Sequence, residues 1–253
     1  MFRVVIPARF ASVRLPGKPL LPLAGKPMIQ WVYERARRSS AQRVVVATDD
    51  ERIAAVVREL GGEAAMTAAT HASGTDRIAE LARREGWDEA DIVVNLQGDE
   101  PLMPPALVDQ VAALFDEHPS ADITTLCVPL DSVAALLDPN VVKVVLDARQ
   151  RALYFSRAPI PWERDGAGER LDTQTSCAGA QRHLGLYAYR TAALLRLASL
   201  PPSRLERIEK LEQLRALENG MDIRVARASA PPGADVNTAQ DLSLVAALLL
   251  AGR

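Results

Sequence analysis

The sequence predicts an α/β fold: a mixed, mostly parallel sheet flanked by helices, with an inserted β-rich part on the substrate side. In the first 120 residues, short β-branched runs alternate with segments whose apolar residues recur at helical spacing. That alternation is typical of βαβ units. From about residue 121, strand-like runs follow one another with shorter connections, which predicts the β-rich part.

The elements of the first part follow from these two periodicities. The predicted strands are residues 4–7, 43–47 and 92–96. The predicted helices are residues 28–38, 51–60, 73–84 and 107–115. Ligands of parallel sheets bind at the carboxyl ends of the strands. We therefore expect Arg9, Asp49 and Asp99, which follow the three strands, to share one edge of the sheet.

The second part has weaker but readable patterns. The predicted strands are residues 122–129, 141–146, 152–155, 184–189 and 223–226. A long helix is predicted over residues 204–219, with a buried stripe of Leu205, Ile208, Leu211, Leu214 and Leu217. Residues 164–181 are rich in small and polar types and predict an exposed or mobile loop. Residues 242–251 predict the apolar part of a last helix.

Composition narrows the classes of protein. The chain has 253 residues, is 48% hydrophobic and carries a formal net charge of −2, which excludes a generally basic nucleic-acid binder. No apolar run approaches the roughly 18 residues of a membrane span, so no membrane association is expected. The start of the chain does not read as a signal peptide, and Cys127 and Cys177 have no metal-site spacing. We expect a cytoplasmic protein.

A basic loop after the first strand is the first candidate site. Arg9, Arg14 and Lys18 lie within residues 7–19, which we call the opening loop. A triphosphate needs fixed cations and backbone donors, and such a loop supplies both. A solvated basic loop would explain the same residues. The loop matches neither a Walker A motif nor Gly-x-Gly-x-x-Gly.

Acidic and polar residues after later strands give two more candidates. Asp99 follows a buried strand and, with the late Asp235, would suit Mg²⁺, which takes one or two carboxylates together with phosphates and water. A strand-end turn and a helix N-terminus are the plainer explanations. Residues 71–77 join a polar loop to a helix start, where Ser73 would cap the helix or the loop would face a base or sugar.

The second half offers candidates for binding a carboxylate or sugar hydroxyls. They are Arg157 and His183. A surface turn would explain Arg157 and Trp162, which lie near prolines, equally well. In the predicted helix, Glu206, Glu209 and Gln213 form a face that solvent would also explain. Nothing in the sequence favours a covalent nucleophile. Cations beside a metal site favour phosphoryl or nucleotidyl transfer.

Taken together, these motifs closely resemble the 3-deoxy-manno-octulosonate (Kdo) cytidylyltransferase family, also called CMP-Kdo synthetases. The motifs that carry the resemblance are residues 7–19, 46–49, 71–77, 95–101, 143–147, 154–157, 182–187 and 205–215. They cover nearly the whole chain in order, and residues 164–181 are the weakest stretch.

The resemblance implies an Mg²⁺-dependent reaction of CTP with Kdo that gives CMP-Kdo and pyrophosphate and activates Kdo for lipopolysaccharide assembly. It also implies a Rossmann-like, nucleotide-diphospho-sugar transferase-like fold and a homodimer. The chain would be one domain over residues 1–253, with residues 1–120 binding the nucleotide. Residues 121–253 would bind the sugar and form the dimer.

The resemblance also implies roles for single residues. The triphosphate would be bound by Ala8, Arg9, Ser12, Arg14 and Lys18. Cytosine and ribose would be enclosed by residues around Thr48, Asp49, His71, Ser73 and Gly74. The metal would be held by Asp99 and Asp235, which would act in catalysis with Lys18 and Arg14. Kdo would face Arg77, Gln97, Arg157, His183, Tyr187, Glu209 and Gln213.

Three alternatives stay open on the sequence. An enzyme that activates sialic acid with CTP would share the chemistry and differ in the sugar-facing residues. A nucleotidyltransferase for sugar 1-phosphates usually has a Gly-rich first loop, whereas residues 8–18 contain Gly17 alone. A non-catalytic nucleotide-binding regulator would not need both Asp99 and Asp235.

Overall fold

The structure is a computed structural model that describes residues 1–11, 15–164 and 175–252. Ser12 and Arg14, both predicted to bind the triphosphate, lie outside the described residues, as does most of the predicted 164–181 loop.

The strands and helices follow the predicted alternation. The strands are β1 Phe2–Ala8, β2 Pro22–Leu23, β3 Lys26–Pro27, β4 Arg43–Thr48, β5 Glu63–Met66, β6 Ile92–Asn95, β7 Ile123–Pro129, β8 Lys143–Leu146, β9 Ala152–Ser156, β10 Gln181–Arg190 and β11 Ile223–Arg227. The helices are α1 Met28–Ala36, α2 Glu51–Glu59, α3 Gly74–Glu85, α4 Pro105–Glu117, α5 Val133–Leu137, α6 Thr191–Ser199, α7 Arg204–Glu209, α8 Gln213–Glu218 and α9 Ala239–Ala251. A short 3-10 helix covers Lys18–Leu20.

The chain divides into two compact units that interleave along the sequence. The first unit is Met1–Ala112, Leu186–Ala198 and Ser229–Arg253. The second unit is Ala113–Gly185 and Ser199–Ala228. Asp235 therefore belongs to the same unit as Asp99, although it comes from the half of the sequence predicted to bind the sugar.

The first unit is built on a mostly parallel sheet with the strand order β10–β6–β1–β4–β5. β1 pairs in parallel with β4 and β6, and β4 pairs in parallel with β5, whereas β10 runs antiparallel to β6. The carboxyl ends of β1, β4 and β6 therefore meet at one edge. Arg9, Asp49 and Asp99 follow these ends, as the sequence predicted.

The sheet of the first unit has a β-branched core covered by helices. Val5, Ile6, Val45 and Val94 are fully buried, as expected for strands of a parallel sheet. Helices α1 and α3 pack on β1, and α2 packs on β4. This packing fixes the strand ends that carry the polar residues.

The last helix packs near the opening loop. Val245 and Leu249 of α9 share a buried cluster with Leu23, Met28 and Val236. Thr238 begins the helix with a capping box, in which its hydroxyl accepts from the Asp241 N–H. The segment before α9, which carries Asp235, is thereby held in the first unit.

The second unit holds the predicted β-rich part. β11 pairs in parallel with β7, and β8 pairs antiparallel with β9 and with the start of β10. The sequence predicted each of these strands within one or two residues at most ends. β10 begins at Gln181, three residues earlier than predicted.

The predicted long helix over residues 204–219 is wrong. The structure has two short helices, α7 and α8, separated at Lys210, whose φ of 54° lies in the left-handed region. The Glu209 carbonyl, which a continuous helix would bond to the N–H four residues later, accepts from Arg157 Nε instead. The predicted stripe also fails at Ile208, which is 64% exposed, whereas Leu211 and Leu214 are buried.

None of the helices in the described ranges combines the length and apolar character needed to cross a membrane.

Candidate active site

A pocket of about 270 Å³ lies at the carboxyl ends of β1 and β6. It is lined by residues 7–9, 18–19, 71–74, 77 and 97–99. All of these residues belong to the first unit. The pocket therefore collects residues predicted for the triphosphate, the cytidine and the metal. Thr48, Asp49 and Asp235 are not among its lining residues.

Lys18 and Asp99 form an ion pair in this pocket. The Lys18 Nζ lies 2.6 Å from the Asp99 Oδ2, and their side chains are 13% and 31% exposed. Lys18 begins the 3-10 helix directly after Gly17, whose φ of +68° favours glycine. The turn thus aims one cation of the opening loop at the acid that follows β6.

Asp235 is brought beside Asp99 by the backbone. The N–H of Val236 donates to the Asp99 carbonyl at 2.9 Å. Earlier in the same segment, Gly233 packs against Leu102, because a Cβ there would lie 2.4 Å from the Cβ and the carbonyl oxygen of Leu102. The Asp235 Oδ2 accepts from the Asn237 side-chain amide at 2.5 Å.

These two aspartates suit a hard divalent cation better than a soft one, because they offer only oxygen donors. Within the described ranges, no group of three or more His, Cys, Asp or Glu side chains could hold a metal on its own. Mg²⁺ needs no such cage, since one or two carboxylates with phosphate and water oxygens complete its shell. The residues present fit Mg²⁺ together with a bound triphosphate.

Asp241 adds a further negative charge near Lys18. It occupies the third position of α9 and accepts from the N–H groups of Asn237 and Thr238. Burial would raise the pKa of Asp241, but these hydrogen bonds and the positive charge of Lys18 outweigh it and lower the pKa. Asp241 therefore stays ionised near the cation.

The loop before α3 is held by Glu80. The Glu80 carboxylate accepts from the Ala68 N–H at 2.9 Å and pairs with the His71 ring. Burial would raise the pKa of Glu80, but these two bonds lower it overall. Ser73 caps α3 in a capping box with Asp76, as the sequence indicated. The polar loop that lines the pocket is therefore fixed at both ends.

A polar cluster in the second unit surrounds Glu209. Its carboxylate accepts from the Ser156 hydroxyl at 2.7 Å and from the Arg157 N–H at 3.0 Å. Lys143 is fully buried, and its Nζ donates to the carbonyls of Asp138 and Arg157 at 2.9 and 2.7 Å. Burial lowers the pKa of Lys143. The cluster fixes the chain around Arg157.

His183 lies inside the second unit. It is 8% exposed, its Nε2 is 3.0 Å from the Thr125 hydroxyl, and its ring meets Phe155 edge-on. Burial, together with the charge of Arg182, lowers the pKa of His183 to about 3. The imidazole is therefore neutral near pH 7.

The residues predicted to face Kdo fall into both units. Arg77 and Gln97 line the pocket, and Tyr187 pairs with Asn95 across β10 and β6. The others, which belong to the second unit, are Arg157, His183, Glu209 and Gln213. Gln213 is 9% exposed.

Comparison with known proteins identifies the family. A cytidylyltransferase family profile matches residues 3–223. The 3-deoxy-manno-octulosonate cytidylyltransferase of Thioalkalivibrio sulfidiphilus is 54% identical over 250 residues, which cover 99% of each chain. The chain belongs to the Kdo cytidylyltransferase family. The enzyme of the same name from Pseudomonas syringae pv. tomato is also 54% identical and covers 98% of each chain.

Solved structures agree with this Kdo cytidylyltransferase assignment. A structure of CMP:2-keto-3-deoxy-manno-octonic acid synthetase complexed with CTP is 43% identical, with a TM-score of 0.89 over the full length of both chains. The predicted nucleotidyltransferase-like fold is thereby confirmed. A cytidylyltransferase from Leptospira borgpetersenii is 18% identical, with a TM-score of 0.61 over 98% of this chain and 86% of that one. That likeness shows the fold alone.

Sequence reasoning gave no site role to three residues that shape the environment of these Kdo cytidylyltransferase motifs. They are Glu80, Lys143, which lies in the 143–147 motif, and Asp241. The capping pattern Thr238-x-x-Asp241 was a readable signal for the last of them. The contact of Glu80 with His71 depends on how the loop folds back on α3, and no local sequence pattern indicates it.

Proposed function

We propose that this chain transfers CMP from CTP to Kdo, forming CMP-Kdo and releasing pyrophosphate. One observation carries the proposal beyond family membership. The Lys18–Asp99 ion pair lies in the pocket that the opening loop and the 71–74 loop share, and Val236, the residue after Asp235, donates its N–H to the Asp99 carbonyl. A cation paired with one aspartate, and a second aspartate next to a backbone contact with the first, suit a metal-bound triphosphate.

We place the triphosphate against the opening loop, on Ala8, Arg9 and Lys18. Ser12 and Arg14 of the same loop would complete its cations and donors. The cytidine would lie toward the loop that His71, Ser73 and Gly74 form in the pocket, near Thr48 and Asp49 at the end of β4. Backbone carbonyls of these loops would accept from the cytosine amino group, which uracil lacks.

The reaction would be a direct displacement at phosphorus. The anomeric hydroxyl of Kdo gives up its proton to solvent as its oxygen attacks the α-phosphorus of CTP, the bond from that phosphorus to the bridging oxygen breaks, and pyrophosphate leaves. Lys18 and Arg14 would offset the charge that builds on the leaving group. Asp99 and Asp235 would hold Mg²⁺, which polarises the α-phosphoryl group when it is bound. We assign no general base.

We place Kdo beside Gln97, which lines the pocket, and Tyr187, whose strand neighbour Asn95 accepts from the Gln97 amide at 3.0 Å. Arg157, His183, Glu209 and Gln213 remain proposed Kdo contacts. We also propose that the product serves lipopolysaccharide assembly and that the reaction takes place in the cytoplasm. Cys127 and Cys177 are both free thiols, which suits a reducing compartment.

A pyrophosphate-release screen tests the proposal. CTP, UTP, ATP and GTP would each be combined with Kdo and with N-acetylneuraminate in the presence of Mg²⁺. We expect release with CTP and Kdo far above every other pair. Equal or faster release with N-acetylneuraminate would reassign the sugar, and no release with CTP and either acid would overturn the proposed function.

A further inference from the structure

We propose that Phe10, Asp49 and Arg77 form a clasp that positions Arg9 and Lys18 of the opening loop for CTP. This inference rests on the proposed function, in which the opening loop binds the triphosphate. It gives Arg77 the role of a positioning residue that acts through Asp49, instead of a direct contact with the sugar. The clasp lies entirely in the first unit.

The guanidinium of Arg77 is committed to two partners. Its Nη2 lies 2.8 Å from the Asp49 Oδ2, and the two side chains are 3% and 12% exposed. Its Nη1 donates to the Thr67 hydroxyl, which in turn donates to the Thr48 carbonyl at 3.1 Å. An ion pair this well shielded from water is costly to break from one side, because the remaining charge stays buried.

Asp49 connects the buried ion pair with Arg77 to the opening loop. Its second carboxylate oxygen, Oδ1, accepts from the Phe10 N–H at 3.3 Å. The Phe10 carbonyl accepts from the Gly17 N–H at 3.1 Å. One residue, held by Asp49, thus joins the beginning of the loop to its end.

The ring of Phe10 also links the beginning of the opening loop to its end. A Cβ at Gly17 would lie 3.2 Å from the ring, so glycine allows the loop end to pack directly against it. On the ring, the Arg52 guanidinium lies 3.6 Å from the centroid, and Arg52 is itself paired with Asp50. The ring is therefore fixed by both the loop and the start of α2.

The clasp also fixes the distance between two neighbouring cations, Arg9 and Lys18, which are not part of it. Arg9 precedes Phe10 directly and Lys18 follows Gly17 directly, and both residues line the pocket. A phosphate chain needs its cations at fixed positions, and a loop that is not preorganised would give up affinity to become ordered. The clasp holds Phe10 and Gly17, and with them the neighbouring Arg9 and Lys18, before the nucleotide binds.

Calorimetric titration of CTP in the absence of Kdo tests the clasp. Asp49→Asn, Arg77→Met and the double variant would be compared with the wild type. We expect each single variant to weaken CTP binding about tenfold, and the double variant to be no weaker than the worse single variant. This non-additivity is the signature of two residues acting as a unit.

A milder variant and a matched control complete the design. Phe10→Leu keeps the backbone bonds and the buried ion pair but removes the aromatic contacts, so it tests the clasp even if Arg77→Met does not fold. Glu34→Gln is the matched control. It breaks the Lys26–Glu34 ion pair, which has a length of 2.7 Å and lies in the same unit, and neither residue lines the pocket. We expect unchanged CTP affinity for Glu34→Gln and weaker CTP binding for Phe10→Leu.

The outcomes separate the two roles of Arg77. If Arg77→Met and Asp49→Asn bind CTP as tightly as the wild type and only raise KM for Kdo, the clasp is wrong and Arg77 acts on the sugar. Phe10→Leu with unchanged CTP affinity would also count against the clasp. If the wild type does not bind CTP, the proposed function falls and the clasp with it.

Discussion

Lys18 is the cation on which the proposed chemistry depends most. It is 13% exposed and paired with Asp99, so its amino group is held in the pocket before any ligand binds. Lys18→Ala should lower turnover by about 10²–10³-fold, since it removes a preorganised charge that faces the leaving group. Steady-state pyrophosphate release would measure this, with circular dichroism as a control for folding. A change of less than about twofold would contradict the assignment.

A substitution at Asp99 that replaces one carboxylate oxygen tests the metal assignment. Asp99→Asn keeps the size of the side chain but removes the charge that would bind Mg²⁺. We expect turnover to collapse at saturating Mg²⁺ with little change in thermal unfolding, because the side chain is 31% exposed. Isothermal titration with Mg²⁺ and CTP would provide a readout independent of activity. Near wild-type turnover would remove Asp99 from the metal site.

His183 predicts a dependence of stability on pH. Its pKa is about 3 in the folded chain and near 6.5 when unfolded. Between these values the unfolded chain takes up a proton that the native chain does not. Stability is therefore fully present above pH 6.5 and falls with decreasing pH, by at most about 1.4 kcal/mol per pH unit from this residue.

The variant His183→Gln isolates that effect. Its free energy of unfolding, measured by urea denaturation from pH 7 to 4.5, should decline less steeply with falling pH than that of the wild type. Its stability at pH 7 sets the reference, because losing the contacts with Thr125 and Phe155 lowers the free energy of unfolding by the same amount at both ends of the pH range. Parallel slopes for the two proteins would contradict the buried, neutral histidine.

At the scale of elements, the sequence predicted what local patterning decides. β1, β4 and β6 are runs of Val and Ile, and their burial in a parallel sheet follows from composition alone. β5 was not predicted, because Glu-Ala-Ala-Met has little β-propensity and becomes a strand by pairing with β4. Its existence is a tertiary effect.

The break between α7 and α8 is a tertiary effect of the same kind. Residues 204–219 have helical spacing throughout, and no Gly or Pro marks an interruption. The break follows from Arg157, which comes directly after β9 and donates to the Glu209 carbonyl. A side chain 52 residues away, which no local pattern could indicate, thus overrides a good helical pattern.

Lys210 provides a direct test of that break. A lysine at a φ of 54° carries a penalty that glycine lacks, so Lys210→Gly should raise the free energy of unfolding by roughly 1 kcal/mol. Arg207→Gly, inside α7, should lower it by a similar amount. Chemical denaturation of both variants measures the difference. Destabilisation by Lys210→Gly would mean that the two helices join in solution.

At the scale of the whole molecule, the sequence predicted where the candidate site lies but not the contacts that hold it. Arg9, Asp49 and Asp99 were expected at one edge because parallel strands end together, and the structure has them there. The ion pair of Arg77 with Asp49 could not be predicted, because both residues are equally suited to bind ligands. Which polar groups bind each other is decided by packing.

The resemblance also predicts a homodimer. Leu153 and Ile208 of the second unit, 60% and 64% exposed, are apolar side chains that a second copy could cover. Sedimentation equilibrium should give twice the chain mass of 27.4 kDa. A mass of one chain at micromolar protein would contradict the dimer.

The hydrogen bond from Val236 to Asp99 has a consequence for synthesis. A ribosome adds the segment beginning at Ser229 after every other part of the first unit, and that segment carries the second carboxylate. A nascent chain with the β1–β4–β6 strands therefore lacks one of its two proposed metal ligands until the ribosome has passed residue 235.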